Sequence, residues 1–156
     1  MEPKIFAKET LLIAGVSGNG NETGKLWDAF SRLNRTNPLS NKASEDGYEI
    51  RFRENGESKC HVGLHVKDSR VPETYKVMSL PPSTYAEFEI YPAQGYTSQN
   101  EEMNKWLSEN SNLYIQARWD DKPFSVLVYD VRYKDNDPES IVGCWVPLSQ
   151  IEKEKR

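Results

Sequence analysis

Apolar positions along this chain fall into two rhythms, and the order of those rhythms repeats once. Residues Ile5 to Val16 alternate loosely and run into Gly15-Val-Ser-Gly18-Asn-Gly20, which reads as a strand entering a flexible turn. From Glu22 to Leu33 the apolar anchors are Leu26, Trp27, Phe30 and Leu33, a spacing that predicts a helix with one apolar face. Pro38 and the polar run Ser40 to Gly47 read as a loop. Tyr48 to Phe52, the turn Glu54-Asn-Gly56-Glu-Ser58 and Cys60 to Val66 then predict a β-hairpin.

Lys67 to Met78 has few apolar anchors and reads as a connector, after which Leu80-Pro-Pro-Ser introduces a second series. Thr84 to Tyr91 alternates, with Ala86, Phe88 and Ile90 on one face and Tyr85, Glu87, Glu89 and Tyr91 on the other. Ser98-Gln-Asn-Glu101 has the form of a capping box, and Met103, Trp106 and Leu107 mark one face of the helix behind it. Phe124 to Asp130 and Ile141 to Leu148, joined by the acidic turn Lys134 to Glu139, close the series as a second hairpin. Each series reads β-α-β-β, with repeat one at about 4–67 and repeat two at about 79–149 of a single domain spanning 1–156. A duplicated unit of this kind directs attention to the pseudo-symmetry axis between its halves.

Composition narrows the function classes. A net charge of −4, with cations scattered and a mixed-charge tail Glu152 to Arg156, argues against direct nucleic-acid binding. Met1-Glu-Pro-Lys lacks the form of a signal peptide, and no apolar run approaches the roughly 20 residues needed to span a bilayer. The expectation is a cytoplasmic protein without membrane contact. Cys60 and Cys144 lie in the last strand of their repeats among apolar neighbours and read as buried free thiols.

Conventional catalytic and metal patterns are weak. His61 and His65 would share one face of a strand about 13 Å apart, too far for one ion, so no metal site is expected. Around Gly18 to Gly24 the phosphate-loop spacing is one residue too long, and Leu26 stands where magnesium needs Ser or Thr. No Gly-x-Ser-x-Gly elbow is present, and neither a catalytic residue nor a cofactor is expected. The aromatic content is the stronger clue. Four tryptophans and eight tyrosines exceed the needs of a small core, and as walls of a groove they would suit a planar lipophilic ligand.

Leu80-Pro-Pro-Ser-Thr-Tyr85-Ala-Glu-Phe88-Glu resembles the corresponding strand of the GyrI-like, or AraC-type effector-binding, family. The resemblance continues through Trp106-Leu107, Tyr129-Asp130, the acidic turn and Trp145-Val-Pro147-Leu. It extends more loosely through Gly15, Leu26-Trp27 and Gly63 to Val66. The resemblance implies an α+β fold in which duplicated β-α-β-β units form one antiparallel sheet, with two helices over it and a ligand groove between them. Its members include sensor domains of multidrug-responsive transcription regulators, mobile-cassette proteins, a gyrase modulator and some hydrolases. No helix-turn-helix pattern accompanies the domain here.

One departure stands out. Many members carry a groove glutamate two residues before the strand tyrosine, where this chain has Leu127 ahead of Tyr129. That argues against hydrolysis and leaves Glu87 or Glu89 as substitute charges, with a solvated edge as their alternative fate. The leading expectation is a stand-alone, non-enzymatic binder of lipophilic or aromatic compounds, neutral or cationic. Trp27, Phe30, Tyr48, Tyr85, Trp106, Leu127, Tyr129 and Trp145 are the candidate ligand-binding residues. The alternatives are a protein-interaction module such as a gyrase modulator, with a protein partner, and a hydrolase.

Overall fold

The structure is a computed structural model that describes residues 1–151, so the tail Glu152 to Arg156 lies outside the described residues. The first half comprises β1 (Lys4–Lys8), β2 (Leu11–Asn19), α1 (Thr23–Thr36), β3 (Lys42–Glu54) and β4 (Glu57–Val66). The second comprises β5 (Lys76–Leu80), β6 (Ser83–Ile90), α2 (Thr97–Glu109), the short β7 (Tyr114–Gln116) and β8 (Arg118–Trp119), β9 (Lys122–Tyr129) and β10 (Val142–Gln150). The strands form one antiparallel sheet in the order β1-β6-β10-β9-β3-β4-β2-β5, with β7 added to β10 and β8 to β9. The order reads alike from both ends: β1-β6-β10-β9 on one side mirrors β5-β2-β4-β3 on the other. The expected α+β duplication is present, and its two halves join where β3 pairs with β9.

The opening segment differs from its expected form. It is not one strand but two, because β1 leaves its own half and pairs with β6, while β2 pairs with β4 and β5. The expected connector likewise contains β5, which pairs with β2 of the first half. Each half therefore begins with a five-residue strand given to the other half, followed by a two-residue link, Glu9-Thr10 or Pro81-Pro82. Prolines donate no ladder hydrogen bond, which ends β5 sharply. The loop expected over Ser40 to Gly47 belongs largely to β3, whose register shifts between Lys42 and Gly47. The helix expected to start with a capping box begins at Thr97, and no side chain caps it.

The links dictate the sheet's shape. Three peptide steps from Lys8 to Leu11 span at most about 11 Å. Eight strands laid flat would be roughly 33 Å across, yet β1 lies at one end and β2 next to the other. The sheet must curl, and its inner face becomes a core of its own. Leu11, Ile13, Ile50, Met78, Leu80, Tyr85, Phe124, Val126 and Trp145 meet there, although no helix covers them. On the outer face α1 packs Phe30, Leu26 and Trp27 against Cys60, Val62 and Leu64, and α2 packs Met103, Trp106 and Leu107 against Phe88, Cys144 and Val146.

His61 is fully buried on the inner face. Its Nε2–H donates to the Ile13 carbonyl at 2.9 Å, and its Nδ1 accepts from the Ser17 hydroxyl at 2.7 Å. Burial pushes its pKa down to about 4 from an ordinary value of 6.5. The unfolded chain therefore binds this proton more readily than the folded one. Stability from the neutral ring is intact above pH 6.5 and is lost as pH falls through 4, by about 3 kcal/mol across that window. Urea midpoints of wild type and His61→Gln, measured from pH 7.5 to 4, are expected to converge as the solution is acidified. Parallel curves would remove His61 as the source.

Candidate functional site

The two helices leave the middle of the outer face uncovered. A groove of about 520 Å³ lies there over the seam between β3 and β9. Side-chain alternation decides what reaches it. In β3, Tyr48, Ile50 and Phe52 point inward to the core, so Glu49 and Arg51 point outward. In β9 the outward set is Ser125, Leu127 and Tyr129, and in β10 it includes Cys144 and Val146. Ile90 extends the floor, and one wall comes from Met103 and Leu107 of α2 and from Tyr96 just before it, with Asn100 and Asn104 at its rim.

Glu49 is the distinctive group, 1% exposed at the seam and directly opposite Leu127 in the ladder. Its Oε1 accepts from Trp27 Nε1–H at 2.9 Å and from the Tyr129 hydroxyl at 3.3 Å. Its Oε2 accepts from Arg51 Nε–H at 2.8 Å. Arg51 donates further to the Gly20 carbonyl at 3.2 Å and to Thr23 Oγ1 at 2.8 Å, at the turn where α1 begins. A buried carboxylate is tolerated when its oxygens are satisfied and a counter-ion is in contact, and both conditions hold here.

Burial, reinforced by the Glu49 charge, raises the Tyr129 hydroxyl well above the usual phenol range, so it remains a donor. Burial also pushes the Cys144 thiol up to about 12, and burial followed by the Glu49 charge pushes Cys60 up to about 11. Neither presents a thiolate near neutral pH. Among the described residues no group of three or more His, Cys, Asp or Glu side chains is placed to hold a metal ion. None of the described helices is long and apolar enough to cross a membrane.

The candidate residues from the sequence divide into four sets. Leu127 and Tyr129 line the groove. Trp27 stands behind its floor, bonded to Glu49 and edge-on to Tyr129 at 5.8 Å, and Phe30 lies deeper against Trp27 and Tyr75. Trp106 is on the sheet-facing side of α2, packed on Phe88 and Tyr114. Tyr48, Tyr85 and Trp145 are on the inner face, where the Trp145 ring contacts both tyrosines and Phe6. Strand parity separates them from the groove, since each neighbours an outward residue in sequence.

Glu87 and Glu89 do not supply a groove charge either. Glu87 accepts from Trp145 Nε1–H at 2.6 Å and pairs with Arg132, and Glu89, 54% exposed, lies 3.8 Å from the same guanidinium. The groove carboxylate comes instead from the first repeat. Its signal in the sequence is the alternation Tyr48-Glu-Ile-Arg-Phe52, two charges on one face of an otherwise apolar strand.

The model of the integron-associated effector-binding protein family matches residues 7–148. This chain belongs to that family. The integron-associated effector-binding fold recurs among solved structures at low identity. SAV2435, solved bound to tetraphenylphosphonium, is 16% identical with a TM-score of 0.64, covering 96% of this chain and 94% of that one. The EcmrR C-terminal domain is 10% identical with a TM-score of 0.63, covering 97% and 100%. An integron cassette protein from Vibrio cholerae is 12% identical with a TM-score of 0.56, covering 95% and 96%. At such identities the likeness is one of fold. A comparison with curated protein sequences gives no match.

Proposed function

We propose that this effector-binding protein holds a small lipophilic, aromatic molecule in the groove between α1 and α2 and does not transform it. The observation that carries the reading is the groove itself, an apolar cleft built around one satisfied polar cluster. Its volume of about 520 Å³ suits a drug-sized ligand. Leu127, Met103, Leu107, Ile90 and Val146 offer aliphatic contact, and Tyr96 and Tyr129 offer rings. The tetraphenylphosphonium bound to SAV2435, lipophilic and aromatic, supports a ligand with those two properties for this groove. A passive role agrees with a carboxylate whose two oxygens are engaged and with two protonated thiols.

A neutral probe that fluoresces in apolar surroundings, N-phenyl-1-naphthylamine, provides the test. Saturable enhancement is expected with wild type. Leu127→Trp, which fills the floor, is expected to weaken it at least about tenfold, equivalent to the loss of a well-packed apolar contact. Trp106→Phe, on the sheet-facing side of α2, is expected to change it little. Loss of binding in Trp106→Phe with retention in Leu127→Trp would place the ligand elsewhere and end this reading.

A further inference from the structure

We infer that Arg51 is an internal counter-ion occupying the groove's own cation subsite, so that this one side chain decides which charge of lipophilic ligand the groove accepts. The inference rests on the ligand-groove reading and sharpens it. Glu49 and Arg51 are the two charged residues among those lining the groove, and they cancel. The Arg51 side chain is 36% exposed and Glu49 only 1%, so the guanidinium is the more accessible of the pair.

Both carboxylate oxygens are already engaged, by Trp27 and Tyr129 on one and by Arg51 on the other. An incoming cation gains from Glu49 only by drawing Arg51 away from it. That movement also breaks the Arg51 bonds to Gly20 and Thr23, which tie β3 to the start of α1. A neutral aromatic ligand meets no such cost. The position directly across the seam is Leu127, so no second carboxylate compensates for the neutralised one.

Three consequences follow from the pair's arithmetic. Removing Arg51 leaves an uncompensated negative charge at the floor and turns the groove into a cation site. Removing Glu49 leaves a partly exposed guanidinium, with three of its five N–H donors uncommitted once the bond to the carboxylate is gone, and turns it into an anion site. Removing both erases charge preference while preserving shape.

Tetraphenylphosphonium and tetraphenylborate share one shape and carry opposite charges, which isolates this effect. Calorimetric titration of both ions, with N-phenyl-1-naphthylamine as neutral reference, is to be run on wild type, Arg51→Gln, Glu49→Gln and the double variant. Arg51→Gln is expected to raise the phosphonium-to-borate affinity ratio on the order of tenfold, and Glu49→Gln to lower it by a similar factor. The double variant is expected to lie between them, each ion's affinity being read against the same variant's affinity for the neutral probe. Hydrogen exchange at residues 20–24 is expected to quicken when wild type is saturated with phosphonium and not with the neutral probe.

An unchanged ion ratio in the single variants overturns the counter-ion role alone. Failure of wild type to bind the neutral probe overturns the groove reading and this inference with it. Should Arg51→Gln not fold, the opposite shift in Glu49→Gln relative to the double variant still decides the matter.

Discussion

Gly15→Ala is expected to abolish the folded protein, whereas Gly24→Ala should fold and melt slightly higher than wild type. Gly15 stands opposite Gly63 in the ladder between β2 and β4. A Cβ at Gly15 would lie 1.7 Å from the Val62 carbonyl oxygen, and one at Gly63 would lie 2.1 Å from that of Ala14. These are backbone atoms inside a sheet, so no rotamer change relieves the overlap. Separating the strands would break the ladder on which α1 packs, through Ala14 and Val62. The cost exceeds about 4 kcal/mol, a large part of the 5–15 kcal/mol typical of a domain. Gly24 lies in α1 with no neighbour within 4 Å of its added Cβ, so alanine there gains up to about 1 kcal/mol of helix propensity. Circular dichroism melts of the two variants are the check, and a Gly15→Ala protein whose stability lies within about 1 kcal/mol of wild type would refute the contact argument.

Trp145→Ala is expected to cost about 3–5 kcal/mol without touching the groove directly. The indole is 7% exposed and fills the inner face where the sheet curls, 5.0 Å from Phe6, 5.4 Å from Tyr85 and 5.9 Å from Tyr48 between ring centres. Its N–H also satisfies Glu87, which Arg132 holds from the other side. Trp145→Phe keeps most of the packing and loses that bond, for about 1–2 kcal/mol. Chemical denaturation orders the three proteins. Neutral-probe affinity per folded molecule is expected to stay the same in Trp145→Phe, because Trp145 belongs to the opposite face from Leu127 and Glu49.

Much of this architecture was legible in the residues. Trp27, Phe30 and Leu33 announced α1, Met103, Trp106 and Leu107 announced α2, and the repeated order announced the duplication. What was hidden is non-local. Ile5, Phe6 and Ala7 in β1 look like the start of the strand that follows, and nothing nearby says that they pair with Tyr85 and Ala86. The aromatic candidates divided for a different reason. A tyrosine or tryptophan in a strand serves whichever face its parity selects, and only the register across β3, β9 and β10 tells the core side from the groove side. Glu49 was hidden because its pairing with Leu127 joins the two repeats, and no local pattern shows that register. A charged residue between two buried apolar ones, Tyr48 and Ile50, was the local sign of it.

The reciprocal loan of β1 and β5 has a mechanical consequence. In an ordinary two-lobed clamp, a bulky guest is admitted by swinging the lobes apart about the line where they join. Here that line is the β3–β9 seam, but the far edges are stitched as well, by Glu9-Thr10 and Pro81-Pro82. Swinging the halves open would require peeling β1 from β6 or β5 from β2. The frame therefore behaves as a closed hoop rather than a hinge, and size tolerance falls to the side chains that can fold aside within it. Met103 on α2 and Tyr96 at its entrance are the pliable parts, and in the proposed ligand role their travel sets the range of sizes the groove takes.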